Sequence, residues 1–252
     1  MGRLVNDSTY SVLNPACYRS RFINAQWRFA LWVLSCDGIC SDQERSAMDP
    51  LSEDILRFWF GDTDVAVEHE RRDVWFRSTS EFDTEIDRRY RDLQELAGGG
   101  AFDHFVEDPA ECLALILMLD QFPRNLYRGS PRSFGTDAKA REITRVALER
   151  GHDRGMSTWH RVFLYIPMEH SENLADQDRA CALYESVGNE RSLEAARGHR
   201  DAIRRFGRFP HRNAVLGRVN TPEEDGYLKD PPLWGMTAAE VAEIEKLKAS
   251  KG

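Results

Sequence analysis

Several things this chain lacks narrow its class before anything it contains is considered. There is no C-x-x-C pair among its five cysteines, Cys17, Cys36, Cys40, Cys112 and Cys181. An odd number without C-x-x-C spacing argues against a disulfide framework; Cys36 and Cys40 could pair or bind metal, but no second pair is spaced to complete a zinc site. Cys112 and Cys181 stand in apolar contexts and read as buried thiols of a reducing compartment, so a cytoplasmic setting is expected. No phosphate-binding glycine loop and no G-x-S-x-G elbow occurs, which removes the usual support for nucleotide-driven or serine-hydrolase chemistry. Glu169, His170, His199 and His211 contain no H-x-x-x-H or H-E-x-x-H spacing, so neither a metal nor another cofactor is expected. The one membrane-like run, Phe29 to Cys36, is too short to span a bilayer and is followed at once by Asp37. The formal net charge of -8 argues against a nucleic-acid binder, whose affinity would come from neutralising phosphates. Strand-like alternation is missing and Val and Ile are sparse, so the fold is expected to be all-α.

What is present reads as helix almost throughout from residue 51. Ser52 is a candidate N-cap for a helix that buries Ile55, Leu56, Trp59 and Phe60 and stops at Gly61. Phe82, Ile86, Tyr90, Leu93 and Leu96 form an amphipathic stripe ending at Gly98-Gly99-Gly100. Asp108-Pro109-Ala110-Glu111 is a strong helix start, and the segment Cys112 to Phe122 is apolar on all sides, predicting a central buried helix. Pro123 is expected to end it, and Pro167 to break or kink the helix from Ser157 to Ile166. Further helices are predicted over Asp137 to Arg150, around Cys181 and Tyr184, and through Leu193, His199 and Phe206. Antiparallel helix pairs should result, as a helical array or an orthogonal bundle. The aromatics Trp59, Phe60, Trp75 and Phe76 are read as core rather than as a stacking platform.

The domain reading is one helical domain over 51–230, a tail with a polar helix over 231–252, and an extension of weak order over 1–50. Residues 1–36 carry Arg3, Arg19, Arg21 and Arg28 against the single acid Asp7, a bias also found in organelle transit peptides. Extension from an upstream start is the simpler account.

Two motifs echo one another: Phe122-Pro123-Arg124-Asn125 and Phe209-Pro210-His211-Arg212-Asn213. Between them lies Pro167-Met168-Glu169-His170-Ser171-Glu172. Together with Ile55-Leu56-Arg57-Phe58-Trp59-Phe60-Gly61, these stretches resemble the bacterial domain-of-unknown-function family numbered 924, over about Leu51 to Leu228. The resemblance implies a tetratricopeptide-like helical fold and no established activity.

The motif residues define a candidate site with alternatives left open. Asp120, at the end of the apolar helix, either bridges to Arg124 with Asn125 answering the helix carbonyls, or is a polarised acid at a pocket mouth. His170, beside Glu169 and Glu172, suits acid–base work near neutral pH, with His211 as a second candidate. Arg124, Arg208 and Arg212 either clamp a phosphate or carboxylate, helped by His211 and Asn213, or pair internally with Asp120, Glu169 and Glu172. The arginine crowd from Arg197 to Arg218 favours a small anion over a polyanion. Two functions follow: a pocket for a small anionic metabolite, with proton-transfer chemistry, or a helical module that binds a peptide or partner protein.

Overall fold

The computed structural model describes residues 48–250, and these form one compact unit. The readings made for 1–47, including those on Cys17, Cys36 and Cys40, lie outside the described residues. All regular structure among the described residues is helical.

Helix α1 (Pro50–Phe60) starts one turn earlier than expected. Asp49, not Ser52, is its N-cap: the Asp49 carboxylate accepts from the Leu51 N–H, Pro50 fills the first helical position, and Ser52 is buried inside the helix. Gly61 ends it at φ 92°, a left-handed conformation that a side chain would strain. Beyond Gly61 the chain doubles back. Arg72 Nη1 and Trp75 Nε1 both donate to the Trp59 carbonyl, so the loop answers backbone groups the helix end leaves open. This docking sets Trp75, Phe76 and Arg77 in place.

Helix α2 (Ser80–Gly98) buries Ile86, Tyr90, Gln94 and Ala97, while Leu96 is half exposed. Gln94 is drawn inward because its side-chain oxygen accepts from the Tyr127 hydroxyl at 3.1 Å. Helix α3 (Pro109–Ile116) is capped by Asp108, which accepts from the N–H groups of Ala110 and Glu111. Glu111 reaches instead to the Asp49 N–H at 2.7 Å, tying the starts of α1 and α3 together.

Helix α3 continues through a π-helical turn (Leu117–Gln121) into α4 (Phe122–Leu126), so Pro123 does not end the helix. From Cys112 to Pro123 every residue is buried, and this continuous rod packs against α1, α2, α5 (Asp137–Arg150) and α6 (Thr158–Glu169). Helices α6, α7 (Leu174–Val187) and α8 (Glu190–Phe206) follow as neighbours joined by short connections, which makes them antiparallel. A capping box at Thr221 starts α9 (Pro222–Tyr227) and another at Thr237 starts α10 (Ala238–Ala249). The stretch before α10 lies on the same unit: Trp234 stacks on His199 with ring centroids 3.7 Å apart, and the Ala238 N–H donates to the Ser78 carbonyl. No helix among the described residues is long and apolar enough to cross a membrane.

Candidate functional site

Asp120 owes its position to the wide turn. Proline at 123 has no N–H to offer the Leu119 carbonyl, and its ring crowds that oxygen. The helix survives by widening, with Phe122 N–H donating to Leu117 five residues back, a geometry that recurs at functional sites. The freed Leu119 carbonyl accepts from the Thr136 hydroxyl at 2.5 Å, and the Asp120 carbonyl from Arg124 Nη1 at 2.5 Å. Asp120 therefore sits inside a continuing helix rather than at its end.

Pro167 also lies inside a helix, α6, here without any widening, so Glu169 ends a continuous helix and His170 caps it. The turn it loosens receives outside donors: Thr144 to the Leu164 carbonyl at 3.1 Å and Tyr184 to the Val162 carbonyl at 3.2 Å. Gln177 then pins the helix end, donating to the carbonyls of Glu169 and Ser171.

These two devices create paired dyads. His170 Nδ1 lies 2.9 Å from both oxygens of Asp120, which is fully buried and also accepts from Gln121 Nε2 at 2.6 Å. His199 Nδ1 lies 2.9 Å from Glu169 Oε1 and equally close to the Ala195 carbonyl. The two imidazoles are 6.3 Å apart, and both line one cleft. Neither Nε2 has a partner among the described residues, and neither is sealed from solvent. With Nδ1 fixed by a buried carboxylate, Nε2 is left to exchange a proton with whatever enters.

Charge separates the dyads. Burial works to raise the Asp120 carboxyl, but Arg124, 3.4 Å away, and His170 overcome it and hold it below the usual carboxylate range. Burial and the Arg124 charge together lower His170. Burial likewise opposes ionisation of Glu169, and His199 reverses this to a net lowering.

The Phe122–Asn125 and Phe209–Asn213 stretches converge, but on a carboxylate of the chain itself. Arg124 grips Asp137 with two bonds of 2.9 and 3.1 Å, and Arg212 Nη1 lies 3.6 Å from the same group. Arg212 is only 7% exposed, its guanidinium between the rings of Phe134 and Phe209 at 4.5 Å each. Burial and the neighbouring Arg124 push it down to about 10. The expected anion clamp is thus filled from within.

The remaining motif residues are dispersed. Arg208 forms a bidentate pair with Glu224, away from the cleft, and Glu172 takes Arg218 and the Phe209 N–H. Asn213 donates to Asn220. Asn125 lines the cleft but donates to Ser78 and Asp83, not to helix carbonyls. His211 packs beside Phe209 and Trp234, and burial pushes it down to about 3. The arginine crowd is neutralised too: Arg197, Arg200, Arg204 and Arg205 each face an acid of the chain, as do Arg208, Arg212 and Arg218.

The cleft itself has a volume of about 660 Å³, in the usual range for small-molecule sites. Its depth holds Glu169, His170, His199, Gln121 and Tyr184. Trp75, Phe76 and Trp159 line it, so Trp75 and Phe76 are more than core. Asp137, Trp234, Arg77 and Arg191 belong to no motif and were missed by sequence reasoning, which also left His199 out of the candidate site. Among the described residues no three of His, Cys, Asp and Glu are arranged to hold a metal ion.

The fold and site define an all-helical protein of successive antiparallel hairpins, with buried carboxylate–imidazole pairs opening on one cleft. The chain belongs to the family described as bacterial protein of unknown function, DUF924, which matches residues 55–232. It is similar to the solved structure of a protein of unknown function from Agrobacterium tumefaciens, at 41% identity and a TM-score of 0.66, covering 72% of this chain and 98% of that one. No curated protein matches.

Proposed function

We propose that the cleft binds a small anionic metabolite and performs proton-transfer chemistry on it. The observation that carries this reading is the pair of imidazoles on one cleft, each oriented through Nδ1 by a buried carboxylate. Such pairs are costly as mere fasteners, because each buries a charged group that a hydrophobic residue would replace without penalty.

The division of labour follows from the neighbours. Asp120 already has Arg124 to answer its charge, so His170 stays neutral and accepts a proton. Glu169 has no guanidinium within ion-pair distance among the described residues; its partner is His199, with Nδ1 2.9 Å from Oε1, which makes His199 the second candidate for proton transfer. Cys112 and Cys181 are free and buried, which supports a reducing, cytoplasmic setting.

The test is a thermal-shift screen of phosphorylated and carboxylated metabolites, followed by NMR of each stabilising compound incubated with the protein. Conversion of a bound compound by the wild type, with binding but no conversion by His170→Gln and His199→Gln, is the expected result. Equal conversion by all three proteins, or no stabilising compound at all, would overturn the proposal.

A further inference from the structure

Resting on the reading of the cleft as a small-molecule site, we infer the class of its ligand: a flat aromatic or heteroaromatic body carrying a terminal phosphate or carboxylate, the ring against Trp75, Phe76 and Trp159 and the anion on Arg77 and Arg191.

The ring subsite rests on a continuous aromatic wall. Ring centroids of Trp75 and Trp159 are 5.4 Å apart, those of Phe76 and Trp159 5.9 Å, and those of Trp75 and Phe76 6.5 Å. All three line the cleft, where Val162, Ile166 and Leu233 extend the apolar surface. The ring planes are inclined to one another by 54°, 55° and 80°, so a planar partner stacked on one ring meets the others edge-on, both favourable aromatic geometries.

The anion subsite follows by elimination among the cleft's guanidinium groups. Arg71 is paired with Asp73, Arg124 with Asp120 and Asp137, and Arg128 with Asp83. Arg77 and Arg191 also line the cleft, and among the described residues neither has a carboxylate within ion-pair distance. Glu194 is the acid on the same lining that holds no cation among the described residues, so two unanswered positive groups meet one negative group. A single anionic head satisfies that imbalance, and a guanidinium binds phosphate or carboxylate through parallel N–H bonds. Arg77 follows Phe76 directly in the chain, so one cleft-lining segment carries both an aromatic ring and a guanidinium.

Isothermal titration of the full chain at low ionic strength with 1-naphthyl phosphate, 1-naphthoate, 1-naphthol and inorganic phosphate tests both subsites. The expected result is that naphthyl phosphate or naphthoate binds at least tenfold more tightly than naphthol and than inorganic phosphate. Whichever of the two leads identifies the head group. In the double variant Arg77→Gln/Arg191→Gln the advantage should fall to the naphthol level; both positions are exposed, so folding is retained. Naphthol binding as tightly as its anionic analogues would overturn the anion subsite, and inorganic phosphate binding as tightly as naphthyl phosphate would overturn the ring subsite. A non-aromatic anion that stabilises the protein and is converted in a histidine-dependent way would sink this inference while leaving the proposed function standing.

Discussion

Replacing Asp137 by Asn should unsettle the molecule more than replacing any rim arginine, although position 137 carries no motif. Its carboxylate takes both forks of Arg124 and is the nearest acid to Arg212. Removing one partner of a buried ion pair costs roughly 3–5 kcal/mol, because a desolvated charge is left unanswered. Two features place this case near the lower end. Asp137 is 15% exposed in its side chain, and Arg124 keeps Asp120 at 3.4 Å. We expect a loss of about 3 kcal/mol, which for a domain of this size lowers Tm by roughly 6–12 °C. Urea unfolding followed by far-ultraviolet circular dichroism should show a lower midpoint at unchanged slope. Arg212→Met in the same chain should recover a substantial part, since an unbranched apolar side chain fits between Phe134 and Phe209 without needing a counter-charge. A loss below about 1 kcal/mol, or a double variant as unstable as the two single losses added, would refute the view that these arginines form an internal network.

The Arg208 and Glu224 pair makes a prediction about acid. Arg208 first, and the Thr221 N–H second, hold Glu224 down to about 2 from its ordinary 4.5. Because the folded value lies below the unfolded one, the pair's contribution is complete above pH 4.5 and is lost as pH falls toward 2. The gap in urea midpoint between wild type and Arg208→Gln should therefore narrow through that window; a gap independent of pH would show that the pair acts through packing alone. Thr136→Val tests the proline turn, since it strips the donor from the buried Leu119 carbonyl. The expected cost is about 1–3 kcal/mol. Pro123→Ala returns an N–H to that neighbourhood, so the cost of Thr136→Val should shrink in the Pro123→Ala background, and strictly additive effects in a double-mutant cycle would contradict the account.

The same turn shows why some of the fold was legible in the sequence and some was not. Signals carried by neighbours along the chain were read correctly: the Asp108 cap, the wholly apolar run after it, and Asp137 to Arg150 with Gly151 as its stop. Signals answered from elsewhere were not. A proline breaks a helix when its freed carbonyls have no other donor, and at Leu119 the donor is Thr136, 17 residues away. Leu93 and Leu96 fit the apolar stripe of α2, yet Gln94 and Ala97 are the buried pair, because Tyr127 gives Gln94 a partner inside. Local rules describe what a residue needs and not what the folded chain supplies.

For the site this distinction decides more than it does for the fold. An acid, an arginine and an asparagine beside a proline look alike in sequence whether they await a ligand or hold one another. Asp137 takes both forks of Arg124 and is the acid nearest Arg212, and in the sequence it is only the first residue of a helix. His199 sits one helical turn from the Ala195 carbonyl, as a core histidine would, and is made part of the cleft by Glu169 and Trp234, both distant along the chain. Recurring motifs of charged residues thus mark where a fold must satisfy itself: Asp120 and Arg124 are held by their neighbours, while Arg212 leans on Asp137 and two aromatic rings with its buried Nε unpartnered. The cleft-lining groups without a partner among the described residues, the two Nε2 atoms of His170 and His199 and the guanidinium groups of Arg77 and Arg191, are where a ligand would gain most by binding, since there it would replace water rather than a protein partner. Substitution at Arg77 or Arg191 should accordingly change binding and leave stability within about 0.5 kcal/mol of wild type, the reverse of Asp137→Asn.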